Sequence, residues 1–371
     1  MSDDAPPQPE RLDGAPHPRD TPVLIGQEAA EAAFLHAFNS GRLHHAWLLT
    51  GPRGVGKATL AWRIARFLLA TPDPQDGGMF APEPPTSLDV PADHPLVARI
   101  AAGGEGRIRN VTRSVNEDTK RLRQEIVAAD IRKLGGFFQL SAPDGGYRVV
   151  IIDDADLMNP TAANALLKML EEPPARAMLL LVSHQPTGLL PTIRSRCRTL
   201  PLRPLEPDEI ARAMAQAEVE ATDAAALAAL SGGTPGGAIR LSLLGGLRLY
   251  DDLLTVLQSL PRMDRGQALK LAEAAAQRGA EPRRDLLFVL IDILLARLAR
   301  TGALGRAPEP AVNASEAALL LRLSPSPAQG RIWADLAQQV SARARHGLAV
   351  NLDPAALVLD TLLKISQAAP R

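Results

Sequence analysis

The sequence predicts an α/β fold, a parallel sheet flanked by helices, followed by an all-α C-terminal region. Two observations lead to this prediction. Up to residue 203, short apolar runs alternate with helical patterns, as in parallel sheets that are covered on both faces. Beyond Pro204 the strand signals vanish, and amphipathic helices separated by prolines continue to the C-terminus.

The composition is that of a folded protein without a dominant charge. Of 371 residues, 46% are hydrophobic and 22% charged, and Lys+Arg and Asp+Glu both number 41. No overall basic field therefore favours nucleic acid. The single cysteine, Cys197, excludes an internal disulfide and a multi-cysteine zinc site, and it fits the reducing cytoplasm. No apolar run reaches the roughly 18 residues of a membrane span, and the N-terminus lacks a signal-peptide pattern.

The first half of the chain contains the predicted sheet. Residues 1–20, rich in Pro and Asp, are expected to form a disordered leader, and residues 71–106 a Pro/Gly-rich insertion with one short helix near residues 95–102. Strands are predicted at residues 46–50, 147–152 and 178–183, and helices at residues 26–40, 59–70, 127–138 and 159–172. The α/β core therefore covers residues 21–203.

The second half is predicted to be helical throughout. Three short helices are expected at residues 208–218, 223–230 and 237–244. Longer amphipathic helices follow from residue 247. We therefore divide this half into a small helical segment, residues 204–245, and an all-α domain, residues 246–371.

Residues 51–59 read GPRGVGKAT and suggest a phosphate-binding loop. The pattern G-x-x-x-x-G-K-[ST] is matched at Gly51, Gly56 and Lys57, but Ala58 stands where a Ser or Thr hydroxyl would bind Mg²⁺. The alternative is an ordinary glycine turn before a helix. The predicted cofactor-binding residues of the loop are Gly51, Gly54, Gly56, Lys57, Ala58 and Thr59.

An apolar strand ending in acids, residues 149–156, has the Walker-B arrangement. The carboxyl end of this strand places Asp153 beside the phosphate loop, near Mg²⁺. Asp154 stands where hydrolases of this type usually carry Glu, and it is shorter by one methylene, so it falls short of an attacking water. The alternative is a strand that ends in a solvated acidic loop. Asp153 and Asp154 complete the predicted nucleotide site.

Three further segments have both a functional and a structural interpretation. Arg194, Arg196 and Arg198 form either a solvated basic turn or a phosphate grip that acts in trans as an arginine finger. Ser183 and His184, at a strand end, either sense a γ-phosphate or make a local hydrogen bond. Residues 231–238 form a glycine-rich junction between helices, which is a flexible turn on local evidence alone.

Three segments together carry a resemblance to a known family. They are residues 43–52 (LHHAWLLTGP), residues 164–174 (NALLKMLEEPP) and residues 193–197 (IRSRC). In this combination the chain resembles the AAA+ clamp-loader family of bacterial DNA polymerase III. The resemblance covers residues 23 to about 245 and continues weakly to residues 351–354.

The resemblance implies an AAA+ module, with residues 204–245 as a helical lid and residues 246–371 as a collar that holds a pentameric ring. It implies that Arg196 reaches the ATP site of a neighbouring motor subunit while this chain acts as a stator. The implied partners are the tau/gamma and delta subunits, the sliding clamp and primed DNA. The chain would be part of a cytoplasmic hetero-oligomer that loads the clamp.

The sequence departs from this family in three places. Many relatives carry a four-cysteine zinc module, but residues 71–106 hold no cysteine, so neither zinc nor any other metal site is expected. Ala58 replaces the metal-binding hydroxyl. Gly236 and Gly237 stand where active members carry an arginine that touches the γ-phosphate, and Arg240 lies one turn further on.

These departures favour a stator with little or no ATPase activity, in which ATP binding is weak or vestigial and Mg²⁺ arrives only with nucleotide. Two alternatives remain open at this point. One is an ATP-hydrolysing motor subunit of the tau/gamma type, and the other is a stand-alone AAA+ adaptor that remodels protein.

Overall fold

The computed structural model describes residues 11, 14–72, 83–139 and 146–370. It divides the chain into two compact units, Met1–Leu205 and Glu206–Arg371. Most of the predicted leader, residues 1–10, 12 and 13, and the middle of the predicted insertion, residues 73–82, lie outside the described residues. Among the residues described, no helix is both long and apolar enough to cross a membrane.

The first unit is built on a five-stranded parallel sheet, in which the strands lie in the order β2-β3-β4-β1-β5. The neighbouring interior strands β3 and β4 are buried at every residue, because their Val, Ile and Leu side chains are covered on both faces. The strands are β1 (Ala46–Thr50), β2 (Ile108–Val111), β3 (Arg148–Ile152), β4 (Ala177–Ser183) and β5 (Arg198–Pro201). The predicted fold class is confirmed.

Helices flank this sheet at the places the sequence predicts. α2 follows the glycine loop directly and buries Leu60, Ile64 and Phe67. α3 agrees with the short helix expected in the insertion. The helices of this unit are α1 (Glu28–Asn39), α2 (Lys57–Ala70), α3 (Pro95–Ala101), α4 (Ala128–Gln139), α5 (Pro160–Glu171) and the single turn α6 (Pro191–Arg194).

The two edge strands, β2 and β5, are absent from the sequence prediction. Each has four residues, and β5 buries only Leu200 while β2 buries only Val111. Arg109 in β2 is exposed, and Arg198 in β5 is exposed as well. Edge strands with one packed face and charged residues lack the apolar run on which the prediction depended.

The described end of the predicted leader is folded onto the core. Residues 18–20 form one turn of 3-10 helix, and His17 is 4% exposed. Arg66 of α2 donates to the carbonyls of Arg19 (2.8 Å) and Thr21 (2.9 Å), while Arg63 donates to the carbonyl of Pro22 (2.6 Å). The structure therefore differs from the leader predicted up to residue 20, because two buried arginines of α2 hold the backbone of its last residues.

The second unit is helical in all of its described elements. It contains both the predicted lid and the predicted collar. Its helices are α7 (Pro207–Gln216), α8 (Ala224–Ser231), α9 (Pro235–Leu243), α10 (Gly246–Gln258), α11 (Arg265–Ala276), α12 (Glu281–Leu304), α13 (Glu316–Leu323), α14 (Pro327–Ala349) and α15 (Pro354–Ala368).

A buried polar network joins three of these helices. Glu316 of α13 is 0% exposed, and its carboxylate accepts hydrogen bonds from Tyr250 Oη of α10 (2.6 Å) and from Arg297 Nε (2.7 Å) and Nη2 (2.8 Å) of α12. The backbone N–H of Val312 donates to the same carboxylate (2.7 Å). Because each carboxylate oxygen has two donors, the charge is well compensated in spite of its burial.

Candidate functional site at the carboxyl edge of the sheet

The glycine loop between β1 and α2 has the backbone conformation that requires glycine. Gly51, Gly54 and Gly56 have φ angles of +142°, +81° and +107°. A Cβ on Gly51 would lie 2.7 Å from the carbonyl oxygen of Leu202, and one on Gly56 would lie 2.7 Å from Leu24 Cδ1. The loop therefore needs glycine for its course and its close approach to neighbouring residues, and it ends at the N-terminus of α2, where backbone N–H groups suit anions.

Lys57, the first residue of α2, turns back onto this loop. Its Nζ donates to the carbonyls of Gly51 and Pro52, both at 2.6 Å, and the residue is 2% exposed. Burial lowers the pKa of Lys57 to about 8, although the nearby carboxylates of Asp153, Asp156 and Asp154 act in the opposite direction. The ammonium group thus has little solvation to lose when it meets an anion.

The acids that follow β3 lie at the same edge of the sheet. Asp153 is 9% exposed, and its Oδ1 accepts a hydrogen bond from the backbone N–H of Asp154 (3.0 Å). Asp156 Oδ1 accepts one from the backbone N–H of His184 (2.9 Å), the residue after β4. The predicted cofactor residues brought together here are Gly51, Gly54, Gly56, Lys57, Ala58, Thr59, Asp153 and Asp154.

Asp154 has two cationic or hydrogen-bonding partners that the sequence did not indicate. Arg53, in the middle of the glycine loop, places Nη2 3.1 Å from Asp154 Oδ1. His184 Nε2 donates to the same oxygen. Asp154 itself has a left-handed backbone with φ +53° and ψ +48°. The carboxylate that stands at the position of a water-activating group is thus engaged by a cation from the loop and by an imidazole.

The environment of Asp154 keeps it ionised. Burial by itself raises the pKa of Asp154, but the hydrogen bond from His184 and the charges of Arg53, His184 and Arg113 outweigh it, so the pKa lies below its usual value. A carboxylate whose pKa is lowered in this way is a poor proton acceptor. The arrangement suits a counter-ion better than a general base.

Three buried polar atoms at this edge have no hydrogen-bond partner among the described residues. They are Ser183 Oγ, His184 Nδ1 and Arg113 Nε. Ser183 is 0% exposed and pairs with Thr50, the residue immediately before the glycine loop. Buried polar atoms are seldom left unpaired in a folded protein, so these atoms indicate a place for a polar ligand.

Arg196 lies at the opposite edge of the sheet. Strand β5 runs parallel to β1, with Arg198 level with Trp47, and the backbone N–H of Leu202 donates to Thr50 O (2.8 Å). The four residue-to-residue steps from Arg198 to Leu202 cover about 13 Å along the chain. Because Arg196 precedes Arg198, its side chain, roughly 7 Å long by ordinary bond lengths, does not reach the glycine loop of its own chain.

The guanidinium of Arg196 is held loosely at the surface. Its Nη2 lies 2.8 Å from Glu171 Oε1 at the end of α5, and its Nη1 donates to Thr192 O (3.0 Å). The side chain is 37% exposed. The thiol of Cys197, the next residue, is more buried than this guanidinium, and burial raises the pKa of the thiol to about 12. The Arg196 guanidinium is therefore more accessible than the Cys197 thiol.

The sequence prediction missed Arg53 and Arg113. It also missed the hydrogen bond between His184 and Asp154. Arg53 occupies a variable position of the loop pattern, and Arg113 follows the unpredicted strand β2. The junction at residues 231–238 covers the end of α8, a turn and the start of α9, and a Cβ on Gly237 would lie 2.6 Å from Thr234 Oγ1. Among the described residues, no group of three or more His, Cys, Asp or Glu is placed to hold a metal ion.

Comparison with known proteins then identifies the family. Residues 26–206 match the family described as "DNA polymerase III, delta subunit". The DNA polymerase III subunit delta' of Escherichia coli (strain K12) is 30% identical over 338 residues, which are 89% of this chain and 91% of that protein. The chain belongs to the DNA polymerase III subunit delta' family.

Other relatives match about half of this chain. The subunit delta' of Pseudomonas aeruginosa is 38% identical over 201 residues, 53% of this chain and 55% of that protein. A DNA polymerase III subunit gamma/tau of Mycobacterium tuberculosis is 32% identical over 192 residues, 50% of this chain and 28% of that protein. The chain thus spans about half of the length of the first relative and less than a third of the second.

Solved structures give more distant matches. A RuvB variant of Thermotoga maritima matches with 20% identity and a TM-score of 0.39, over 79% of this chain and 80% of that chain. A DNA polymerase III gamma subunit-related protein of the same organism matches with 18% identity and a TM-score of 0.36, over 90% of this chain and 99% of that one. At these TM-scores the similarity supports no inference about function.

Proposed function

We propose that this chain is a clamp-loader subunit of DNA polymerase III that acts as a stator and donates Arg196 to the ATP site of a neighbouring motor subunit. Its proposed partners are the tau/gamma and delta subunits, and through the assembled complex the sliding clamp and primed DNA. The proposed setting is a cytoplasmic hetero-oligomer.

The position of Arg196 carries this proposal. The residue lies about 13 Å or more along the sheet from the glycine loop of its own chain, so a role in phosphate chemistry requires a site on another subunit. Its guanidinium is partly exposed and is held by a surface ion pair with Glu171 and a hydrogen bond to the Thr192 carbonyl. Such pairs contribute little to stability, about 0–1 kcal/mol, so the side chain is free to exchange Glu171 for a phosphate.

Two features of the chain's own site argue against hydrolysis there. Ala58 offers no oxygen to a metal ion. The carboxylate of Asp154 is ionised, and its charge is already compensated by Arg53 and His184.

A nucleotide remains compatible with part of this site. The N–H groups of the loop and Lys57 suit the phosphates, so we propose that ATP binding is weak or vestigial rather than absent. The residue directly after Lys57 is Ala58, which has no hydroxyl to hold a cation, so Mg²⁺ would come only with the nucleotide. We propose no role for zinc. The expectation that the chain binds no zinc stays a prediction.

The second candidate is an ATP-hydrolysing motor subunit. The match to a gamma/tau subunit over 50% of this chain favours it. Its test is the ATPase rate of the purified chain. Robust turnover that is abolished by Lys57→Ala would support the motor, whereas negligible turnover supports the stator.

The stator proposal itself is tested with Arg196→Ala in the reconstituted complex. We expect the variant to assemble normally and the complex to lose much of its DNA-stimulated ATP hydrolysis. A missing arginine finger costs about 10³–10⁵ in rate at one site, and the loss in the whole ring is smaller because other sites stay intact. Arg194→Ala, an exposed arginine two residues away, is the matched control. An unchanged rate with Arg196→Ala would remove this residue from the mechanism.

A further inference from the structure

The ion pair between the glycine loop and the end of β3 suggests how this site holds phosphate. We propose that the loop is a metal-free polyphosphate site, in which Arg53 leaves Asp154 and supplies to the ligand the positive charge that a metal ion supplies in other loops of this kind. The inference rests on one part of the proposed function, the loss of the metal site, and not on Arg196 or on assembly.

The residues around the loop do not suit a cation. Ala58 has no oxygen, and Asp154 Oδ1 already accepts from Arg53 and His184. Asp156 accepts the backbone N–H of His184, and Asp153 that of Asp154. A magnesium ion needs near-octahedral oxygen ligands and gives up water reluctantly, so it would have to compete with partners already in place.

The same residues suit phosphate oxygens. Lys57 is buried under the loop with its Nζ on two carbonyls, and it needs only a small movement to meet an anion. The side chain of Arg53 is 69% exposed and forms an ion pair with Asp154. A guanidinium presents donors in a fork that matches phosphate. When Arg53 moves from Asp154 to a phosphate, it therefore loses one ion pair and forms another.

His184 stabilises the charge of Asp154 after Arg53 has moved to the ligand. When Arg53 leaves, Asp154 keeps the hydrogen bond from His184 Nε2. Arg113 acts on the same carboxylate and lowers its pKa. The carboxylate thus stays compensated beside the incoming anion, and the repulsion between them is reduced.

An independent observation also points to a ligand at this place. Ser183 Oγ is fully buried at the end of β4, level with Thr50, and has no partner among the described residues. Arg113 Nε, a donor at the end of β2, is likewise buried and without a partner there. Both donors lie at the carboxyl edge that carries the loop, where a phosphate group would satisfy them.

The chemistry shared by the expected ligands is a chain of phosphates. A nucleoside triphosphate and an inorganic polyphosphate both provide it, and the two are separated by comparing ATP with tripolyphosphate. A site that depends on the phosphates alone binds both. A site that also holds a base binds ATP more tightly.

The test is calorimetric titration of the full chain with ATP and with tripolyphosphate, each in EDTA and in excess Mg²⁺. We expect the affinity for at least one probe to change by less than about threefold between the two conditions. Arg53→Ala should weaken binding in EDTA about tenfold or more, the loss typical of one charge-assisted hydrogen bond, and Arg53→Lys should recover part of it. Arg42→Ala, which removes an exposed arginine elsewhere in the first unit, should have no effect.

Two more variants test the roles of the acid and of the missing hydroxyl. Asp154→Asn should strengthen binding in EDTA, since it releases Arg53 and removes a negative charge. Ala58→Thr should introduce a dependence on Mg²⁺. The inference is overturned if neither probe binds, if the native chain requires Mg²⁺ for binding, or if Arg53→Ala behaves as Arg42→Ala does. None of these outcomes bears on Arg196, so this inference and the stator proposal can fail separately.

Discussion

Raising the pH through 8 should neutralise Lys57 and weaken phosphate binding at the glycine loop. The pKa of this residue is about 8 in the folded chain. About nine-tenths of the chains therefore carry the charge at pH 7 and about one-tenth at pH 9. Because only the ammonium form attracts the anion, the affinity for tripolyphosphate should fall about tenfold per pH unit well above pH 8, and binding at pH 9 should take up close to one proton.

Two experiments test this prediction, a direct one that measures the pKa of Lys57 and a linked one that counts the protons taken up on binding. In the direct experiment, the ¹³Cε signal of Lys57, assigned by its loss in Lys57→Met, is followed from pH 6 to pH 11. In the linked experiment, calorimetry in two buffers of different ionisation enthalpy counts the protons taken up. A midpoint near the ordinary lysine value of 10.5 would refute the claim that burial dominates at this residue.

The same pKa fixes the sign of a stability effect. Because the folded-state pKa lies below the unfolded value, the unfolded chain binds more protons between pH 8 and pH 10.5, and the free energy of unfolding rises with pH across that window. Lys57→Met should remove this rise.

Three further predictions concern other residues. Glu316→Ala leaves the charge of Arg297 buried without its carboxylate and should lower the stability of the second unit by about 3–5 kcal/mol in urea unfolding, whereas Tyr250→Phe, which removes one hydrogen bond, should cost about 1–2 kcal/mol. Gly51→Ala should lower the melting temperature and abolish phosphate binding, since its Cβ would lie 2.7 Å from a backbone carbonyl; a normal melting temperature would show that the loop relaxes. Cys197 should react with an aromatic disulfide reagent in the folded chain far more slowly than in urea, because burial raises the pKa of its thiol to about 12.

The buried part of the first unit was predictable from local pattern. β1 begins and ends at the predicted residues, and β3 and β4 differ from the prediction by one residue each, because a continuous apolar run between turn signals is typical of a strand buried on both faces. β2 and β5 were missed for the complementary reason. Each is a four-residue edge strand that pairs with a neighbour remote in sequence, and no local run marks it.

The site was predictable in its positions but not in its contacts. The glycines and Lys57 follow from a spacing pattern, and Asp153 and Asp154 follow from the end of a strand. The pairing of Asp154 with Arg53, 101 residues away, and with His184, 30 residues away, depends on which strands are neighbours in the sheet. The sequence prediction attributed the weakness of Asp154 to its length, and the structure adds that its charge is already engaged.

The central claim, that Arg196 acts on a neighbour's ATP, is tested most directly in a complex with one working site. Such a complex is reconstituted with motor subunits whose phosphate-loop lysine is replaced, except in the subunit that adjoins this chain. DNA-stimulated hydrolysis then comes from that site alone. We predict that Arg196→Ala abolishes this hydrolysis, that Arg196→Lys restores little of it because the guanidinium fork is lost, and that Arg194→Ala leaves it intact. Hydrolysis by the Arg196→Ala complex at the rate of the Arg194→Ala complex would contradict the account.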